Sequence, residues 1–136
     1  MQKNTNEARD AALDELRKAL RSGGYVCEDK VREESPFGEY KLPIAARDRR
    51  HDKRIAIGFQ YQEVGGTAEQ KVAWHLLCLA HISSRRRYRD TFFVWAGENW
   101  KSPPTNEIYN PLIVNADRVR IMSFPAFCTD AQAGRL

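Results

Sequence analysis

The sequence lacks the features that mark several common classes of protein. Its 3 cysteines are far apart and include no C-x-x-C pair, so they cannot all pair with one another and do not form a zinc site. No stretch approaches the roughly 18 consecutive apolar residues of a membrane span, and the polar N-terminus has no apolar signal-peptide segment. No G-x-S-x-G elbow or P-loop spacing is present. We therefore expect a protein of the reducing cytoplasm that does not enter a membrane.

The composition is that of an ordinary globular protein. The 136 residues are 42% hydrophobic and 29% charged, which favours one folded domain over residues 1–136. The formal net charge is only +4, so the placement of the basic residues is more informative than their number.

Basic residues are concentrated in two short runs, "ARDRRHDKR" and "RRRYR". Such runs can neutralise the phosphates of DNA, although a solvated turn explains either run when it is taken alone. Trp100 could stack on nucleic acid or anchor a loop, and the hydroxyl of Tyr88 could contact a phosphate. The residues predicted to bind DNA are Arg47, Arg49, Arg50, Lys53, Arg54, Arg85, Arg86, Arg87, Arg89 and Lys101.

The hydrophobic pattern predicts an α/β fold. Helices are expected over residues 4–22, where a glycine pair follows, and over residues 67–82. A weak strand, "YVCEDKVREES", precedes two stronger strands, "EYKLPIAAR" and "RIAIGFQYQ", which should form a hairpin, and "DTFFVWAG" and "RVRIMSF" are the later strands. The helix after "RIAIGFQYQ" makes that strand parallel to "DTFFVWAG". The expected sheet is mixed and flanked by helices, with an irregular loop at residues 98–110 and a frayed tail at residues 129–136.

The strand "RIAIGFQYQ" has two different faces, because side chains alternate along a strand. One face is apolar. The other is small and polar, as expected where a ligand or another backbone approaches closely. This second face is made of Ala56, Gly58, Gln60 and Gln62.

The segment "GFQYQEVGGTAEQK" resembles the core motif of the restriction-endonuclease-like, or PD-(D/E)XK, nuclease superfamily. In that motif an E-x-K strand is often followed by Gln and by a G-[ST]-A-E-x-K turn into a helix, and here Gln62, "GTAE" and Lys71 match it. Later stretches, "WAGENW" and "VRIMSF", are similar to the rest of the family's core. The resemblance implies a restriction-endonuclease-like core that hydrolyses DNA with Mg²⁺ held by carboxylates, usually as a dimer or tetramer.

The chain departs from the motif at its centre, since Gly58 stands at the glutamate position and Gln60 at the lysine position. The resemblance implies one repair, in which the missing carboxylate comes from Glu69 in the first turn of the helix or from Glu63 before it. An acidic residue in a first turn is equally explained by the helix dipole. The implied catalytic residues are Glu39, Gln60, Gln62, Glu63, Glu69 and Lys71, with Glu39 and Glu69 as the Mg²⁺ ligands.

Two hypotheses follow. The chain is a small metal-dependent DNA endonuclease of restriction or homing type, or it keeps the nuclease fold without catalysis and binds DNA or a partner subunit. Gly58 and Gln60 are compatible with a relocated carboxylate, with evolved loss of activity, and with substitutions introduced to inactivate the protein. Both hypotheses expect Gln60, Gln62 and the start of the following helix to form one pocket with the basic runs beside it, and a homo-oligomer.

Overall fold

Five strands form one mixed sheet, and helices cover both of its faces. The computed structural model describes residues 5–62 and 67–136, without the side chains of residues 5, 6, 29 and 67–69. The elements in chain order are α1 (Thr5–Ser22), β1 (Tyr25–Ser35), β2 (Gly38–Asp48), β3 (Lys53–Gln62), α2 (Thr67–Ser84), β4 (Asp90–Gly97), α3 (Asn106–Tyr109), a 3-10 turn (Ala116–Arg118), β5 (Val119–Ser123) and α4 (Phe124–Gln132). The strand order is β1-β2-β3-β4-β5, antiparallel from β1 to β3 and parallel from β3 to β5. The predicted α/β fold with a mixed sheet flanked by helices is confirmed.

Helix α1 forms where apolar residues recur at helical spacing. Leu13, Leu16 and Leu20 are almost completely buried, whereas Lys18 on the opposite face is exposed. Gly24 has a φ of 94°, a value that other residues rarely adopt, and it turns the chain into β1. The prediction of an opening helix stopped by the glycine pair is confirmed.

The two faces of β3 contribute to two separate hydrophobic cores. Ile55, Ile57 and Phe59 pack with α1 and α4, whereas Ala56 packs with α2 on the other side of the sheet. Helix α2 connects β3 to β4, and these strands are parallel, as predicted. The polar positions of β3 therefore face α2.

The β1–β2 hairpin changes faces near its middle. Tyr25 and Cys27 pack on the α1 side of the sheet, whereas Val31 packs on the α2 side. Between them Lys30 adopts a φ of 54°, in the left-handed region that strongly twists the chain. By the register of the two strands, Lys30 lies opposite Pro43, which has no N–H to donate to the ladder.

Strands β2 and β3 separate at this same point. Their described pairing runs from Asp48 opposite Lys53 to Ile44 opposite Ile57. Beyond it, β2 remains paired with β1, while β3 continues beside β4. The gap between residues 39–43 of β2 and residues 58–62 of β3 is called the fork below.

Residues 129–136 are not a frayed tail, and that prediction is wrong. Helix α4 continues to Gln132 and begins with a Ser123 hydroxyl cap and with Pro125 in its first turn. Phe127 is fully buried, and Leu136 packs against the core on the α1 side. A serine cap followed by proline is a recognised signal for a helix start, so the sequence did contain evidence for α4.

The connection from β4 to β5 is mostly irregular, as its proline and asparagine content predicts, but it includes the single turn α3. The side chain of Asn106 ties this turn to β5 by donating to the carbonyl of Val119 (2.7 Å) and accepting from the N–H of Ile121 (2.9 Å). Within residues 5–62 and 67–136, no helix has both the length and the hydropathy needed to cross a bilayer.

Candidate functional site

The fork is the place where the sequence predicts a catalytic centre. Gly58, Gln60 and Gln62 lie along its β3 side and face α2. The side chain of Tyr40 enters from β2, and His75 enters from the middle of α2. The fork thus brings together three elements that are distant in the sequence.

Gly58 is packed too tightly for any side chain. A Cβ atom added to it would lie 2.6 Å from Cδ1 of Leu79 and 2.9 Å from the hydroxyl oxygen of Tyr40. Both of these side chains are buried, so neither has open space into which to retreat. The volume that a glutamate would need at this position is therefore already filled by protein atoms.

Tyr40, His75 and Gln60 form a chain of hydrogen bonds across the fork. The Tyr40 hydroxyl is 2.7 Å from Nδ1 of His75, and Nε2 of His75 is 2.9 Å from Oε1 of Gln60. The amide nitrogen of Gln60 donates to the carbonyl of Tyr61 at 3.2 Å. Because an amide oxygen can only accept, the imidazole proton belongs on Nε2, and the Tyr40 hydroxyl donates to Nδ1. Gln60 is thereby a bridge between β3 and α2.

The groups in this chain are neutral at pH 7. Burial, together with the positive charges of Lys71 and Arg9, lowers the pKa of His75 from 6.5 to about 4. Burial also raises the pKa of the Tyr40 hydroxyl. Two positive charges thus act on this chain of hydrogen bonds, Lys71 on α2 and Arg9 on α1, and Lys71 itself is exposed to solvent.

Sequence reasoning did not select Tyr40 and gave His75 little weight. The usable signal was the position of His75 within the buried stripe of α2, between Val72 and Leu79. A histidine on such a stripe requires hydrogen-bond partners, because an unpaired buried imidazole is costly. The identity of the partners depends on how β2 and β3 diverge, which no local pattern reveals.

Gln62 joins the ends of β3 and β4. Its side chain is buried, and its amide nitrogen donates to the carbonyl of Asn99 at 2.8 Å. Within the described part of the chain, the Gln62 Oε1 atom has no hydrogen-bond partner. Gln62 is therefore placed at the end of the fork, as predicted, but it is enclosed rather than open to a ligand.

The predicted carboxylates do not assemble into a described metal site. Glu39 lies near the tip of the β1–β2 hairpin, opposite Glu34. Its side chain is 49% exposed, and its carboxylate lies 3.7 Å from Arg32. Glu63 and the side chain of Glu69 lie outside the described residues. Among the residues that are described, no group of three or more His, Cys, Asp or Glu could hold a metal ion, and the Mg²⁺ site stays a prediction.

The basic turn before Lys53 lies at the opposite end of β3 from Gln60 and Gln62. Because β3 and β4 are parallel, the turns before Lys53 and before Asp90 meet at one edge, and Gln62 and Gly97 mark the other. The length of β3 separates the edges by about 30 Å, at about 3.3 Å per residue. The expectation that the arginines of the basic turn flank Gln60 and Gln62 in a single pocket is therefore wrong. In the second run, Arg85 and Arg87 pair with Glu34 and Glu33, which lie opposite Glu39 and Tyr40 of the fork.

Most arginines of the basic runs are paired with carboxylates of the same chain. The ion pairs are Arg47 with Asp52, Arg50 with Asp48, Arg54 with Glu28, Arg85 with Glu34, Arg87 with Glu33 and Arg89 with Asp90. Tyr88 is buried and donates to Glu33 at 2.6 Å, which corrects the suggested phosphate contact. Of the predicted DNA-binding residues, those that are exposed and have no ion pair within the described ranges are Arg49, Lys53 and Arg86.

Trp100 anchors its loop, which was one of its two predicted roles. Its indole N–H donates to the carbonyl of Ala96 at 2.9 Å, and its ring contacts that of Trp95. The neighbouring Lys101 is exposed on the same loop.

Comparison with known proteins supplies no functional assignment. No family model matches the chain, and no curated protein matches it. The chain is similar in structure to a crystal structure of a protein of unknown function, AF1548, with a TM-score of 0.49 and 8% sequence identity. The match covers 83% of this chain and 58% of that one, so this chain spans less than two thirds of the length of that protein. A likeness of this degree carries no argument about function.

Proposed function

We propose that this chain is a nucleic-acid-binding protein that has the arrangement of a restriction-endonuclease-like nuclease but does not cleave its ligand. The packing at Gly58 carries this proposal. A nuclease of this type needs an oxygen ligand beside its metal ion, and Leu79 and Tyr40 fill the volume where the E-x-K motif would supply one.

The relationship to the nuclease superfamily rests on two observations. The order of elements, a helix, three strands, a helix and a strand, agrees with the arrangement that the resemblance implies. The "GTAE" stretch of the motif coincides with the start of α2, which follows the strand that carries Gly58 and Gln60. Both observations concern the fold and the family resemblance. The proposal about activity depends instead on the residues of the fork.

Binding of nucleic acid does not depend on a metal site. Lysine and arginine neutralise phosphates and release counterions from the polymer, whatever the base sequence. The chain has a net charge of +4, and cations from both α1 and α2 act on the fork. We therefore expect binding that is largely independent of base sequence and that weakens steeply as salt is added.

The test combines a cleavage assay with a binding assay on the same protein. Supercoiled plasmid is incubated with the chain in Mg²⁺, in Mn²⁺ and in a chelator, and nicking is scored on a gel. Binding of labelled duplex DNA and of labelled RNA is followed by fluorescence anisotropy over a range of salt. We expect no nicking under any condition, together with salt-sensitive retention of nucleic acid.

The endonuclease hypothesis makes the opposite prediction in the same assay. If Glu69 or Glu63 supplies the missing carboxylate, nicking will depend on the metal and will disappear in Glu69→Ala or Glu63→Ala. That result would overturn the proposal that cleavage is lost. If neither DNA nor RNA is retained at low salt, binding fails as well. The predicted homo-oligomer stays a prediction that sedimentation velocity tests.

A further inference from the structure

A groove of about 330 Å³ lies between α1 and the part of the β1–β2 hairpin beyond its change of faces. Leu13, Leu42 and Pro43 contribute its apolar surface, and its charged residues are Arg9, Asp10, Arg17, Lys30 and Lys41. These are four positive charges and one negative charge. The groove is on the α1 side, and none of the residues that line it belongs to the basic runs.

Ion pairs neutralise only part of the positive charge in this groove, where Arg17 pairs with Asp14 at 2.8 Å. Lys30 and Lys41 are exposed, and neither forms an ion pair within residues 5–62 and 67–136. Arg9 contacts Asp10 at 3.6 Å, but both side chains are well exposed, so water screens this pair. In contrast, Arg85 and Arg87 pair with Glu34 and Glu33 at 2.6 and 3.1 Å. Among the described residues, exposed cations without an ion pair are thus present in the groove (Lys30 and Lys41) and in the basic runs (Arg49, Lys53 and Arg86), and the groove differs in that its two lysines line one cavity.

The backbone holds Lys30 in an unfavourable conformation at the edge of the groove. Its φ of 54° is costly for a lysine, and glycine or asparagine would be the ordinary choices there. Strained positions of this kind concentrate at functional sites. The strain by itself identifies no ligand, and Arg86 in the basic runs has a similar φ of 59°.

The groove is also connected to the fork. Arg9 lines the groove, and its charge is felt by Tyr40 and His75 on the far side of β2. Lys41 is the neighbour of Tyr40 on β2 and lines the same groove. A strand of nucleic acid lying in the groove would therefore run along β2 on the face opposite the Tyr40–His75–Gln60 chain.

We infer that this groove, with Arg9, Lys30 and Lys41 as its phosphate contacts, is the surface that binds the sugar–phosphate backbone. The inference rests on the proposed function and deepens it, because it places the ligand on the α1 side rather than at the two basic runs. The recognised chemistry is the phosphodiester anion, and the contacts are charge contacts without base readout.

The test compares two double variants that remove the same charge from opposite ends of the molecule. Lys30→Gln with Lys41→Gln neutralises the groove, and Arg49→Gln with Lys53→Gln neutralises the exposed cations of the basic turn. Binding of labelled duplex DNA is measured by anisotropy at several salt concentrations, and circular dichroism checks that each variant is folded. For the Lys30→Gln, Lys41→Gln double variant (the groove pair) we expect about a tenfold loss of affinity. The slope of log K plotted against log salt concentration should become shallower by about 2, which is about 1 for each lysine removed. The basic-turn pair should keep the wild-type slope, because distant charges act only through a screened field.

Each other outcome has a separate meaning. If the groove pair binds with the wild-type slope, the groove is not the contact surface, and the inference is overturned while the binding function stands. If the salt dependence of binding becomes shallower in the Arg49→Gln, Lys53→Gln variant instead, the basic runs form the interface, as the sequence predicts. If the wild-type protein itself retains neither DNA nor RNA at low salt, the proposed function is wrong, and the inference about the groove is wrong as well.

Discussion

At the scale of single residues, Gly58 decides what the fork can do. A glycine in place of a catalytic carboxylate could leave an open pocket that a substitution would refill. Here the space has instead been occupied by Leu79 and by the hydroxyl of Tyr40. The change is therefore built into the packing of β2, β3 and α2 and is not confined to one side chain.

Adding a side chain at Gly58 should destabilise the protein. We expect Gly58→Ala to lower the free energy of unfolding by about 1–3 kcal/mol, and Gly58→Glu to lower it further, because both overpack a buried site. Urea unfolding measures the effect. The double variant Gly58→Ala with Leu79→Ala is the control, since removing Cδ1 of Leu79 should make the two losses less than additive. Wild-type stability with a gain of metal-dependent nicking in Gly58→Glu would show that the site is open.

His75 should make the stability depend on pH. Its pKa is lowered on folding from 6.5 to about 4, so below pH 6.5 the unfolded chain binds the proton more readily than the folded chain does. The stabilisation is complete above pH 6.5 and is lost as the pH falls towards 4, by about 3 kcal/mol at most. Asp48, whose pKa is lowered to about 2, loses its contribution only below its ordinary value of 3.8.

The measurement is the urea-unfolding free energy at several pH values between 4 and 7 for the wild type and for His75→Gln. The variant should be less stable at pH 7, because it breaks the chain between Tyr40 and Gln60. It should also lack most of the wild-type slope. An equal slope in the two proteins would mean that His75 is accessible to protons in the folded state.

At the scale of elements, local patterns predicted most of the fold. The two faces of β3, with Ile55 on one and Gly58 and Gln60 on the other, could be predicted because successive side chains of a strand point to opposite faces. The spacing of Leu13, Leu16 and Leu20 likewise predicted α1. The tail was predicted wrongly because the cap and proline at the start of α4 were given too little weight.

The candidate site was less predictable, because its contacts join distant parts of the chain. Tyr40 and His75 are 35 residues apart, and Arg85 and Glu34 are 51 residues apart. The clusters "RRRYR" and "RDRRHDK" suggested a free basic surface, but acidic residues of β1, of the basic turn and of the adjoining ends of β2 and β4 pair with most of their arginines. A sequence shows where arginines are, and only the tertiary fold shows which of them are already paired.

Arg50 should stabilise the packing of the C-terminal segment. Its guanidinium donates to the carbonyl of Gly23 (3.1 Å) and to that of Gly134 (3.3 Å), and it also pairs with Asp48. We expect Arg50→Gln to lower the free energy of unfolding by about 1–2 kcal/mol, because these bonds link α1, β2 and α4 at a half-exposed position. Arg49→Gln is the matched control and should change stability by less than about 0.5 kcal/mol. Equal stabilities for the two variants would rule out a structural role for Arg50.

At the scale of the whole molecule, the distribution of charge matters more than the net value of +4. The edge with the basic runs is rich in ion pairs, and such pairs resist exchange with phosphates because an existing partner must first be displaced. Among the described residues, Lys30 and Lys41 in the groove have no such partners, and neither have Arg49, Lys53 and Arg86 in the basic runs. The proposed function uses this groove to hold a nucleic acid strand.

The most direct measurement is the affinity for duplex DNA in Mg²⁺ and in EDTA at equal ionic strength, followed by anisotropy. A groove that binds phosphates with lysine and arginine should bind equally well in EDTA, or slightly better, since Mg²⁺ competes for the phosphates. A carboxylate site would use Mg²⁺ to bridge the protein and the phosphate. Affinity that is unchanged or weaker in Mg²⁺ is the result we predict, and affinity that rises about tenfold or more in Mg²⁺ would contradict a metal-free fork.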